Sequence, residues 1–89
     1  MNADAAVEHA LFDLRDALAV DGRVGELGLD VCVERGHVVV RGAISTEARR
    51  SAVEPLAREI LNGHGIDLPV DNATHVPGAG EPVERPEEL

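Results

Sequence analysis

The sequence predicts a small α+β fold, a single αββαβ domain in which two helices pack on one face of a three-stranded sheet. Three observations predict it. Apolar residues recur at helical spacing near the N-terminus, two short alternating stretches flank Arg35-Gly36, and a second helical stretch is followed by one more alternating run.

From Asp4 to Ala19, Val7, Leu11, Leu14 and Leu18 recur three or four apart and form one helical stripe, widened by Ala6, Ala10 and Ala17. Asn2 or Asp4 can cap the first amides, and Asp21-Gly22-Arg23 ends the helix. Leu29 to Glu34 then alternates with period two, as does Val38 to Arg41 once Val39 is assigned to the outer face. Arg35-Gly36 fits a two-residue hairpin loop. That loop sets Val33 opposite Val38 and Val31 opposite Val40 on the core side, with Cys32 opposite Val39 and Asp30 opposite Arg41 outside. The outer face is expected to carry an Asp30–Arg41 ion pair and an exposed Cys32/Val39 strip.

Ser45 is the expected cap of the second helix, with Glu47 near the positive end of its dipole. The buried stripe is Ala48 or Ala52 with Val53, Leu56, Ala57, Ile60 and Leu61, and Asn62-Gly63 is the expected stop. Pro55 lacks a backbone donor, so a kink or a change of helix axis is expected near Ser51 to Pro55. Val70 to Val76 alternates again and reads as a strand reached by a crossover. The domain thus spans 1–76, and 77–89, rich in Pro, Gly and Glu, reads as a disordered acidic tail.

A chain of 89 residues supports one core and buries only about 60% of its unfolded surface. Cys32 is the only cysteine, so no intramolecular disulfide can form, and with one Phe and no Trp or Tyr the core must be aliphatic. Such a core invites a dimer as its supplement. The net charge of −9 repels phosphate polymers, which argues against nucleic acid as a partner. The chain carries neither a basic leader nor an apolar run long enough to span a bilayer, and is expected to be cytoplasmic.

The run Leu29-Asp30-Val31-Cys32-Val33-Glu34-Arg35-Gly36-His37-Val38-Val39-Val40-Arg41-Gly42-Ala43-Ile44 carries a family resemblance. With Leu14, Leu18, Asp21 and Val24 before it, and Arg49 or Arg50, Ala57 and Asn72 after it, the run resembles the BON domain, a short bacterial module named for osmotic-shock and nodulation proteins. The resemblance covers roughly Leu11 to Val76. Gly65 to Val70 is a residue longer than is usual there, and Thr74 stands where an aliphatic residue is common. The resemblance implies attachment to phospholipid or to protein partners.

Little else carries chemistry. His64 and His75 could meet Asp67 and Asp71, but no pair of the histidines has zinc-site spacing, and surface titration is the default for His9 and His37 as well. Ser45 lacks the setting of an activated nucleophile. Gly22-Arg23-Val24-Gly25 matches the loop of KH domains but lacks a basic surface. Asp30 and Glu34 disfavour the Cys32 thiolate, which leaves that thiol inert.

The expected function is a non-catalytic binding module, without cofactor or metal, whose partner is a protein or a second copy of itself. A strand edge or the outer-face residues Asp30, Cys32, Val39 and Arg41 would make the contact. The alternative is a phospholipid or membrane surface, held by the first helix or by Arg49, Arg50 and Arg58 on an anionic headgroup.

Overall fold

A computed structural model of the protein describes residues 3–78. The elements follow in the order α1 (Ala3–Val20), β1 (Asp30–Glu34), β2 (His37–Ala43), α2 (Glu47–Gly63) and β3 (Val70–His75). The sheet order is β1-β2-β3, antiparallel between β1 and β2 and parallel between β2 and β3. The side chains of Asn2 and Asp4, expected as caps, and the segment 79–89 of the expected tail lie outside what is described; Pro77 and Gly78 form a turn.

The hairpin has the expected register, from Asp30 opposite Arg41 to Glu34 opposite His37. Its two loop residues both take positive φ, 53° at Arg35 and 78° at Gly36, as a two-residue turn matched to strand twist requires. Gly36 accepts this freely, whereas Arg35 does so at a cost of about 1 kcal/mol. The register turns Val31, Val38 and Val40 inward, where each is fully buried. Burying each such valine contributes about 2 kcal/mol relative to leaving it exposed.

Both helices cover this inner face. Ala10, Leu11, Leu14 and Leu18 of α1 meet Val53, Leu56, Ala57 and Leu61 of α2 in one cluster with the three valines, Val24 and Ile44. Ala52 and Ile60 pack at its margin, while Ala48 is exposed. The α2 helix runs unbroken through Pro55, which lies on its exposed side.

Both ends of α2 differ from expectation by one or two residues. Its cap is Thr46, in extended conformation, whose Oγ1 accepts from the Arg49 amide at 3.1 Å. Ser45, the expected cap, instead donates from its hydroxyl (2.6 Å) and its amide (3.0 Å) to Glu26 Oε2. That pair of donors holds the Glu26 carboxyl below its usual range, with Arg49 assisting. At the other end Gly63 is still helical. The Gly65 amide donates to the Asn62 carbonyl (3.0 Å) and the Ile66 amide to the Leu61 carbonyl (2.9 Å), closing the helix around Gly65 and turning Ile66 back onto the core.

Gly42 sits in β2 at φ 136°, and a Cβ there would lie 2.8 Å from Leu29 Cδ2 and 3.3 Å from the Gly28 carbonyl oxygen. Two effects therefore oppose any side chain at this site, positive φ and the segment that leads into β1. Gly42→Ala is expected to lower stability by about 2 kcal/mol, and Arg35→Asn, which suits positive φ better, to raise it by about 0.5 kcal/mol; urea unfolding midpoints of the two variants, falling and rising respectively, check both.

Candidate functional site

The outer sheet face is built differently from the expected open strip. Val39 points outward as expected, yet it is only 5% exposed, and Cys32 opposite it is half-buried. Arg41 reaches past its cross-strand neighbour Asp30 to grip Glu34 with two hydrogen bonds of 2.7 and 2.8 Å. Its Nη1 also lies 3.5 Å from Cys32 Sγ. Glu34 and Arg41 lie on either side of the Cys32/Val39 pair, so their stems cover it while their heads stay wet. On the other flank His37 Nδ1 lies 3.4 Å from Asp71 Oδ2, within ion-pair reach but outside hydrogen-bond geometry. The expected Asp30–Arg41 pair is thus replaced by Glu34–Arg41, because the longer carboxylate can meet the guanidinium across the apolar pair.

The three arginines assigned to a headgroup serve three separate segments. Arg49 Nη1 donates to the Val24 carbonyl at 2.8 Å, Arg50 Nε to the Thr74 carbonyl at 2.9 Å, and Arg58 Nη1 to the Leu68 carbonyl at 3.0 Å. The Gly22-Arg23-Val24-Gly25 loop is likewise clamped. Arg23 bridges Asp21 (3.0 Å) and Glu59 (2.8 Å), while Val24 plugs the core. The Arg23 side chain and amide together bring the Asp21 carboxyl down to about 2.

Of the histidines, His64 Nε2 meets Asp13 Oδ2 at 2.7 Å, with the His9 ring 5.7 Å from that of His64. Asp67, Asp71 and His75 do not join it, and among the described residues no three His, Cys, Asp or Glu side chains converge as metal ligands.

The two sheet edges are treated unequally. In the parallel ladder, Val38 donates to the Pro69 carbonyl and Ile44 to that of His75, so the intervening residues Val70, Asn72 and Thr74 turn their main-chain groups to the β3 edge. Side chains take both groups of Thr74 at that edge. The Thr74 amide donates to Asn72 Oδ1 (3.2 Å), the Thr74 carbonyl accepts from Arg50, and Asn72 Nδ2 returns to the Arg50 carbonyl (2.8 Å). The Thr74 hydroxyl also donates to Asn72 Oδ1.

At the β1 edge, antiparallel alternation turns Val31 and Val33 outward. Arg15 Nη2 takes the Val31 carbonyl at 2.7 Å. Among the described residues, no side chain reaches the amide or carbonyl of Val33. Beside this edge runs a groove between α1 and β1, walled by Glu8, Leu11, Phe12 and Arg15 on the helix and by Val31 and Val33 on the strand. It continues toward Val7 and Leu68. Phe12, the sole aromatic residue, is 67% exposed on its wall, and Val33 is 39% exposed although it points to the helix side.

The open main chain of Val33 and the apolar groove lie side by side. Phe12 escaped the reading of the sequence although a signal was present, since it falls off the Val7/Leu11/Leu14/Leu18 stripe. No helix among the described residues is long and apolar enough to cross a membrane. Comparison with protein-family models, with curated proteins and with solved structures finds no match to this chain.

The Arg41 grip holds the Glu34 carboxyl below its usual 4.5, with Cys32 a lesser cause. A carboxylate with a depressed folded-state pKa adds stability above its unfolded value and loses it as the pH falls through the folded value. The Glu34 contribution is therefore complete above pH 4.5 and fades below it. Carboxyl titration by NMR should find Glu34 below 4.5 in the native protein and back near 4.5 in Arg41→Gln.

Proposed function

We propose that this domain is a non-catalytic interaction module of the BON type that holds a protein partner along the β1 edge. The observation that carries this reading is the open main chain of Val33 beside a groove walled by an exposed phenylalanine. Side chains occupy both main-chain groups of Thr74 on β3, while on β1 those of Val33 are open beside an exposed phenylalanine and an apolar groove. A folded domain ordinarily blunts such an edge, since it templates pairing with other chains. An edge left open next to an apolar groove fits recognition by strand addition, where main-chain bonds supply affinity and the groove supplies selectivity.

The BON resemblance supports the same reading from the side of the fold, through the Arg35-Gly36 turn, Gly42 and the αββαβ order. Between its two implied ligands, the protein is favoured over the phospholipid headgroup. Arg49, Arg50 and Arg58 are each engaged on a main-chain carbonyl, so a phosphate would have to compete with bonds that hold the loops.

A photo-reactive phenylalanine analogue in place of Phe12 tests the proposal in the native host. Phe12 is exposed, so the replacement should leave stability unchanged. The expected result is one discrete cross-linked protein product, absent when the same analogue replaces Glu54 on the outer side of α2. No discrete product from position 12, or the same product from both positions, would refute the proposal.

A further inference from the structure

The charges around the groove indicate what kind of chain would lie in it. Most carboxylates of the domain are engaged: Asp21 and Glu59 with Arg23, Glu34 with Arg41, Glu26 with Ser45 and Arg49, Glu47 with Arg50, Asp13 with His64, and Asp71 beside His37. Among the described side chains, Glu8, Asp16, Asp30, Glu54 and Asp67 have neither a hydrogen bond nor an ion pair. Of these, Glu8 lines the groove, and Asp16, Asp30 and Asp67 are each next in sequence to a lining residue, Arg15, Val31 and Leu68. Glu8, Phe12 and Asp16 form one row along α1 at four-residue spacing. Asp30 begins β1, and Asp67 directly precedes the Leu68 that closes the far end.

The cations nearby do not balance this set. Arg15 spends its guanidinium on the Val31 carbonyl, Arg41 is held by Glu34, and only Arg35 projects from the hairpin tip. An unpaired carboxylate on the helix wall of an apolar groove, with three more next in sequence to its lining residues, favours a partner with the opposite charge, through faster encounter and through rejection of acidic competitors.

A second copy of this chain fits less well. Each copy carries a net charge of −9, and antiparallel pairing of two β1 strands about Cys32 would set Asp30 against Glu34 on both sides of the dyad. Like charges directly opposite each other destabilise a strand pair.

We infer that the groove takes an extended segment of a different protein as a fourth strand beside β1, with aliphatic residues facing Phe12 and Val33 and with Lys or Arg at the alternate positions. The inference rests on the interaction-module reading and adds the chemistry of the partner. An extended segment alternates its side chains between the two faces. Its apolar set enters the groove, while its basic set meets Asp30 on the outer face, and basic residues at its ends reach Glu8, Asp16 and Asp67.

The probe is a short capped peptide of alternating valine and lysine, with an alternating valine and glutamate peptide as its counterpart. Binding is followed by calorimetry at low and at physiological salt, together with hydrogen exchange of the Val33 amide. The first variant is Val33→Pro. It removes the edge-facing amide and costs no bond to β2, so retention of the sheet can be verified by NMR before binding is scored. The second is Glu8→Lys with Asp30→Lys, both at exposed positions.

The expected result is that the lysine peptide binds, protects the Val33 amide, weakens as salt rises, and loses about tenfold in affinity on Val33→Pro. The charge-reversed variant should then prefer the glutamate peptide. Equal binding of both peptides with Val33 protected would overturn the basic chemistry and leave the edge as the binding site. Undiminished binding by Val33→Pro without amide protection would overturn strand addition itself. Binding of neither peptide, with Val33 protected in a doubled solution mass, would name a second copy as the occupant; binding of neither without such protection would refute the inference.

Discussion

Two backbone conformations in the left-handed region, at Arg35 and Gly36, set the register on which the core depends. Because side chains alternate along a strand, a slip of one residue would turn Val38 and Val40 to solvent and bring His37, Val39 and Arg41 under the helices. The loss would be large for a core that has no buried aromatic residue to compensate. The same register aligns Glu34, Cys32, Val39 and Arg41 so that one ion pair can cover the apolar pair between them. It also decides which main-chain groups of β1 face outward. The turn therefore fixes the inner face, the outer face and the edge together.

The connections are held in a second way, by guanidinium groups on main-chain carbonyls. Arg15 reaches β1, Arg49 the segment before it, Arg50 the end of β3 and Arg58 the segment leading into β3. Arginine suits this task better than lysine, since its planar fork can hold a carbonyl and a carboxylate at once, as Arg49 and Arg50 do. Every basic residue of the chain is Arg, and that bias was visible in the composition. What composition could not reveal is where each fork points, because a helix position fixes the base of a long side chain and leaves its tip several ångströms of reach. This is why Arg49, Arg50 and Arg58 read as one cationic group in the sequence and serve three segments in the fold.

The parts of the structure legible in the sequence are those governed by periodicity. The element order, the hairpin register and the α1 and α2 stripes follow from alternation at two and at about 3.6 residues, and each was reinforced by several positions at once. The misreadings arose where two nearby residues could perform the same task. Ser45 and Thr46 both have a capping hydroxyl, and the choice fell to Thr46 because Glu26, far away in sequence, takes Ser45. Gly63 and Gly65 could both end α2, and the core contact of Ile66 selects the later one. Asp30 and Glu34 both lie within range of Arg41, and side-chain length with the apolar pair between them decides for Glu34. For the candidate site, strand β1 was legible and its open edge was not, since edge status depends on strand order. Phe12 gains its meaning only once that edge lies beside it.

Strand order also gives a reason for the asymmetry of the edges. The parallel strand β3 arrives by a crossover from α2, so that helix can reach its edge; Arg50 donates to the Thr74 carbonyl and its own carbonyl accepts from Asn72. The α1 helix precedes β1 and leaves only Arg15 within reach of a β1 carbonyl. One more long polar side chain on α1, in the place of Phe12, could take a main-chain group of β1 as Arg50 takes the Thr74 carbonyl. The chain has instead an aromatic ring at that position, which has no hydrogen bond to offer the strand and has apolar area to offer a ligand. The open Val33 main chain thus goes together with an apolar side-chain choice on the helix beside it.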